Sequence, residues 1–264
     1  MVGLLTDKII LAVPFIFGTV VGSFLNVCIY RIPARISIVS PSSRCPLCKR
    51  HIPFYLNIPL LSYIMLGGRC RYCRVPISLQ YPFVEALTGF FAAVLFLRFQ
   101  LTAEFFAYFI FLSSLIVITF IDLRHKIIPD VISIPGVVLG FALSFFLPAP
   151  GILNSFTGIV LGGGILVGIA AAYYFFSGKE GMGGGDIKLL AMIGAFLGWE
   201  GVLFTLFTAS CIGAVLGLAA VVILGKGSKY ALPFGPFLAL GAVLYLFYGK
   251  DIIGWYILRI SGGL

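Results

Sequence analysis

Two aspartates and four cysteines are the residues whose types and spacing could carry chemistry in this chain. Asp122 follows a long apolar run and leads into Leu123-Arg124-His125-Lys126-Ile127-Ile128-Pro129-Asp130. Asp186 follows Gly183-Gly184-Gly185 and precedes Ile187-Lys188 and a second apolar run. Taken alone, each is an ordinary helix-end charge; Asp186 suits a helix N-terminus, and Asp130, after a proline, suits a cap. Taken together they suggest more. Two carboxylates at one depth in a poorly solvated site repel, so one holds a proton that the other lacks. Hydrolysis of a peptide needs that arrangement: one group takes a proton from water while the other polarises the carbonyl. The three glycines are costly in backbone entropy, which makes sense where backbone must approach something closely.

The cysteines form two pairs, Cys45-Pro-Leu-Cys48 and Cys70-Arg-Tyr-Cys73. Each pair can offer two thiolates to one tetrahedral ion, so the set reads as a structural zinc site with no position left for water. Two disulfides are the alternative, disfavoured in a reducing compartment. His51 reads as a bystander, and Cys28 and Cys211 as packed small residues. Other chemistries are excluded on their own terms. The glycine run lacks the Lys-Ser/Thr ending of a phosphate loop, and neither His51 nor His125 has a nucleophile-elbow partner.

The elements that position these residues must lie in a membrane. Of the 264 residues 61% are hydrophobic and 10% charged, too little polar surface for a soluble domain. Apolar stretches long enough to cross a bilayer recur near 9–30, 81–98, 104–121, 131–148, 156–176, 187–199, 201–224 and 233–249. The expectation is an all-α polytopic protein of about eight spans, with 187–199 tilted or partly re-entrant. The first stretch reads as a retained span rather than a signal peptide.

Orientation follows from charge. Arg31, Arg35, Arg44, Lys49, Arg50, Arg69, Arg71 and Arg74 fall in one segment, and no acid lies between Asp7 and Glu85. That excess marks the cytoplasmic side and suits contact with anionic lipid rather than nucleic acid, for which no module is present. Both aspartates then lie at the cytoplasmic face, with only Lys8, Arg98, Lys250 and Arg259 among the basic residues outside.

Glycines four apart, at 18/22, 136/140, 158/162, 164/168, 194/198 and 213/217, predict close helix packing. No internal repeat of spans is evident. Asn26 suits an interhelical hydrogen bond. Glu85, one turn inside the second span, is either paired with a neighbouring cation or reserved for a substrate amine or a methyl donor.

In this order the motifs resemble the prepilin peptidase, or type IV leader peptidase, family of aspartyl proteases. The resemblance is carried by Gly22-Ser23-Phe24-Leu25-Asn26-Val27 with Tyr30-Arg31-Ile32-Pro33, the two cysteine pairs, and Tyr81-Pro82-Phe83-Val84-Glu85. Asp122 to Asp130, Gly183 to Leu190, and Pro233-Phe234-Gly235-Pro236 complete it. It implies that Asp122 and Asp186 are the catalytic pair, with Gly183, Gly184 and Gly185 as the active-site loop. The implied substrate is a prepilin or secretion pseudopilin, cut after glycine at the cytoplasmic face of the bacterial inner membrane. The cysteine loop implies a second activity, methylation of the new N-terminus from S-adenosylmethionine. The expected organisation is a first helix over 1–30, a zinc-binding loop over 31–80 as the methyl-transfer part, and a peptidase domain over 81–264. A small ion- or proton-coupled transporter and a non-catalytic scaffold are the rival readings. The sequence sets no oligomeric state.

Overall fold

A computed structural model describes residues 2–40, 42–179, 183–224 and 232–261. Gly181 and Met182, just ahead of the glycine run, lie outside the described residues. Among the described residues the chain is helical, with two isolated bridges and no strand. The helices are α1 (Val2–Arg31), the short α2 (Leu61–Met65), α3 (Gln80–Phe99), α4 (Ala103–His125), α5 (Asp130–Leu143) and α6 (Ile152–Ser177). They are followed by α7 (Gly184–Leu224), α8 (Gly235–Leu244) and α9 (Lys250–Ser261). Six segments, at 10–31, 80–99, 103–125, 152–177, 184–223 and 235–259, are apolar and long enough to cross a membrane by length and composition.

Six segments rather than about eight are long enough to cross by themselves among the described residues; the difference lies in α5, which is shorter, and in α7, which is two helices. Gly198 at φ 76°, ψ −178° breaks it, in a backbone region only glycine enters freely. The short sixth span is therefore the arm from Gly184 to this break, running directly into the next. With α5, eight apolar helical segments result.

Two ends differ from expectation. The fourth segment stops at Leu143, five residues short of its predicted end, because Ser144 Oγ donates to the Phe141 carbonyl at 2.7 Å and turns the chain before Pro148. The last segment does not end at Gly249. It passes through a π-turn at Tyr245–Gly249 and stays helical to Ser261.

The chain divides into two compact units, Met1–Val117 and Ile118–Leu264, with the boundary inside α4. In the first unit α1 and α3 pack antiparallel with backbones nearly touching. A Cβ placed on Gly18 would stand 2.7 Å from the Gly89 Cα, and one on Gly22 2.8 Å from the Glu85 Cα. At the end of this seam Asn26 Nδ2 donates to the Tyr81 carbonyl at 3.0 Å, the interhelical bond its position predicts.

In the second unit α6 lies antiparallel on the first arm of α7. Gly158 faces the Gly194 backbone, Gly162 faces Leu190, and Ser155 Oγ donates to the Ala195 carbonyl at 2.8 Å. The first arm of α7 also packs along α5, and its second arm packs on α8. Gly164 and Gly168 meet nothing within 4 Å among the described residues, so that pair packs no described helix. Apolar side chains such as Val20 and Phe24 on α1, Leu153 on α6 and Phe207 on α7 point outward, as a hydrocarbon solvent allows.

Gly158→Ala is expected to lower thermal stability in detergent by roughly 1–3 kcal/mol, the usual cost of overpacking. Gly164→Ala, with open space around it, should leave the unfolding midpoint unchanged or raise it. Differential scanning fluorimetry on the purified protein checks both.

Candidate active site and metal centre

Asp122 lies on the last turns of α4 and is buried, 4% exposed. Its Oδ2 accepts the Gly235 backbone N–H at 3.1 Å. That amide opens α8, whose first N–H groups have no partner within the helix. The carboxylate thus sits at the positive end of α8, where a negative charge is favoured. A Cβ on Gly235 would stand 2.6 Å from Asp122 Oδ2, so glycine is required there by space.

Asp186 lies in the first turn of α7, half-buried, its own N–H bonded to the Gly183 carbonyl at 3.3 Å. The two aspartates come together through Ile128. A Cβ on Gly185 would meet Ile128 Cβ at 2.8 Å, and one on Gly235 would meet Ile128 Cδ1 at 3.4 Å. Gly183 and Gly184 have nothing within 4 Å among the described residues. Among the described residues, Gly185 is the one of the three loop glycines pressed against a neighbour.

Asp130 differs from its expected role. Pro129 holds the cap position of α5, and the Asp130 carboxylate receives Lys188 Nζ on both oxygens at 2.7 Å.

In the first unit the four cysteines converge: the sulfurs of Cys45, Cys48, Cys70 and Cys73 all lie within 4.8 Å of one another. They are free thiols, and Cys45 and Cys73 are 3.8 Å apart. A tetrahedron with metal–sulfur bonds of about 2.3 Å has an edge of about 3.8 Å, whereas a disulfide bond is about 2.05 Å. The donor set fits a closed four-thiolate metal site.

The two knuckles repeat each other turn for turn. The Lys49 N–H bonds the Cys45 carbonyl and the Cys45 N–H bonds the Arg50 carbonyl; Arg74, Cys70 and Val75 do the same. Lys49 and Arg74, one residue past each pair, share a left-handed backbone at φ 59° and 61°. Backbone N–H groups of Cys73 and Tyr72 aim at the Cys70 sulfur and bring its thiol down to about 7. At Cys73 the Val75 N–H works the same way, but burial and the neighbouring sulfurs outweigh it and push the thiol up to about 11. Four sulfurs so close ionise together only around a cation. His51 is exposed and stands outside the cluster; Cys28 is packed, whereas Cys211 is exposed on α7.

Glu85 is buried within α3, and its Oε2 accepts the Leu60 N–H at 2.8 Å. Leu60 has φ 60°, an unfavourable conformation for a branched residue, so this carboxylate holds a strained corner of the cysteine loop.

Comparison with known proteins accounts for the arrangement. Residues 16–99 match the bacterial peptidase A24 N-terminal domain, and residues 109–218 match the type IV leader peptidase family. A prepilin leader peptidase/N-methyltransferase of Aeromonas salmonicida is 33% identical, the match covering 93% of each chain. The chain belongs to the type IV leader peptidase family. Another leader peptidase/N-methyltransferase, from Pseudomonas aeruginosa, is 33% identical over 92% of this chain and 91% of its own. One from Myxococcus xanthus is 41% identical over 80% of this chain and 63% of its own. No solved structure matches.

In this leader peptidase the Gly235 amide and the Ile128 wedge are contacts that residue types alone do not reveal. The late Pro-Phe-Gly-Pro motif was the one signal pointing toward Gly235. Cys45→Ser or Cys70→Ser should take bound divalent metal from about one ion per chain to near zero. His51→Ala should leave it unchanged. Elemental analysis by inductively coupled plasma mass spectrometry reads both.

Proposed function

We propose that the chain is a membrane aspartyl endopeptidase that cuts the leader peptides of type IV prepilins or secretion pseudopilins and then N-methylates the new N-terminus. Family membership supports the activity and leaves the transporter and scaffold readings without support. The observation that carries the mechanism is the placement of two carboxylates, Asp122 on the first amide of α8 and Asp186 in the first turn of α7, with Ile128 packed against the glycine beside each.

Peptide hydrolysis then proceeds by proton exchange within the pair. One carboxylate takes a proton from the attacking water. The other, protonated, donates to the carbonyl oxygen, and the departing amine leaves with a proton as the tetrahedral intermediate collapses. Gly183 and Gly184, which carry no side chain, let an extended substrate backbone reach the pair.

The bond cut follows a glycine at the cytoplasmic face of the bacterial inner membrane. The first helix has its N-terminus outside, and the basic segment and both aspartates face the cytoplasm, in keeping with the positive charge of residues 31–80. That segment serves as the zinc-bound methyl-transfer part and 81–264 as the peptidase part. Zinc, closed off by four thiolates, holds the loop in shape and takes no part in catalysis. S-adenosylmethionine supplies the methyl group when bound, and Glu85 faces the substrate amine or the methyl donor from the corner of the loop it anchors.

With a leader-bearing prepilin and the detergent-purified protein, mass spectrometry should detect the shortened product and, with S-adenosylmethionine added, the mass of one methyl group. Asp122→Asn and Asp186→Asn should each lower cleavage by roughly 10²–10⁴-fold. Cleavage at the wild-type rate in either variant removes that residue from the pair. Gly235→Ala, which displaces the Asp122 carboxylate, should cost about 10²-fold, whereas Gly183→Ala should cost far less.

A further inference from the structure

Lys188 occupies an unexpected place, with its ammonium in the second turn of α7, near the end where a positive charge is disfavoured. Asp130 compensates it from the first turn of α5, where a negative charge is favoured. The contact is bidentate, 2.7 Å to each oxygen, between residues far apart in sequence. Both side chains are partly exposed, 40% for Lys188 and 57% for Asp130.

Below this pair α5 and the first arm of α7 run side by side along an apolar seam. Met192 fills the space left by Gly136, and Ala195 and Phe196 fill the space left by Gly140. Knobs at Met192 and Phe196 and holes at Gly136 and Gly140 both recur every four residues. A slip of one helical turn, about 5.4 Å, would bring one knob into the next hole. The apolar seam therefore discriminates weakly between neighbouring registers. The charge pair does not repeat, since the residues one turn from Lys188 are Gly184 and Met192.

Register matters because of what each partner carries. Asp130 is joined to Asp122 by the short segment 123–129, and Lys188 stands two residues after Asp186. The ion pair thus closes a ring that runs from Asp122 through Asp130 and Lys188 to Asp186.

We propose that Asp130 and Lys188 are positioning residues, a polar pin that fixes the register of α7 against α5 and so the spacing of Asp122 and Asp186. The inference rests on those aspartates being the catalytic pair. A partly exposed ion pair adds little to global stability, and its use in specifying register is a separate effect.

The test is steady-state cleavage of a leader-bearing prepilin by the full-length protein in detergent, with wild type and Asp122→Asn as references. Asp130→Asn and Lys188→Met should each lower kcat by about twofold to fivefold, the weight of one such pair in an equilibrium between registers. KM and the unfolding temperature should stay close to wild type. The double variant Asp130→Lys with Lys188→Asp should recover most of the lost rate. Single variants that cut at the wild-type rate would overturn the pin while leaving the peptidase reading intact. So would a loss expressed in KM with no recovery on exchange, which would make Lys188 a substrate contact. Equal cleavage by wild type and Asp122→Asn would instead sink the underlying reading, and the pin with it.

Discussion

A carboxylate in apolar surroundings must be given hydrogen-bond donors or favourable dipoles, and the second unit is organised around that requirement. The bond from the Gly235 N–H to Asp122 Oδ2 is where it is met. The bond needs a helix that starts, with unpaired N–H groups, at the depth where α4 ends. Phe234 and Gly235, with Pro236 in the first turn, provide that start. It also needs a residue without a side chain, because any Cβ would push the carboxylate aside. Asp186 meets the same requirement differently, by standing in the first turn of its own helix. The site is thus two helix N-termini brought to one place, with Ile128 as the spacer.

Helix packing serves this convergence. Without a hydrophobic effect between helices, close approach depends on small residues, and α7 is contacted through glycine on α5 and on α6. The break at Gly198 lets one continuous segment serve two partners: the first arm packs on α5 and α6, and the second on α8. The four-cysteine cluster in the first unit obeys a different logic. Its order comes from two matching hydrogen-bonded knuckles that bring four sulfurs together, with Glu85 fixing the corner at Leu60.

Legibility in the sequence followed the range of each interaction. The cysteine pairs were readable because their chemistry is local and their spacing is short. The aspartates stood out because a charge at the edge of an apolar run is costly wherever the chain goes. Five of the six glycine pairs lie against a neighbour in the fold, while Gly164/Gly168 does not, since spacing alone cannot tell a packed face from a lipid-facing one. The partners of Asp122 and Glu85 are backbone N–H groups, which every residue but proline carries, so no residue type announces them. Asp130 was misread as a cap because a carboxylate at a helix start suits a dipole and a distant lysine equally well. The early stop of α5 and the helical continuation past Gly249 depend on side-chain-to-backbone bonds and a π-turn that hydropathy does not register.

The break in α7 also bears on how the protein enters its membrane. From Gly184 to Gly198 the helix rises only about 21 Å at 1.5 Å per residue, less than the hydrocarbon thickness of about 30 Å. Such a segment has little reason to partition into lipid by itself as it emerges during synthesis. Joined to the longer arm beyond the break, it can be carried in as one half of a helical hairpin. Asp186 would then reach its final depth only once the second arm has been made, which places assembly of the aspartate pair late in biogenesis.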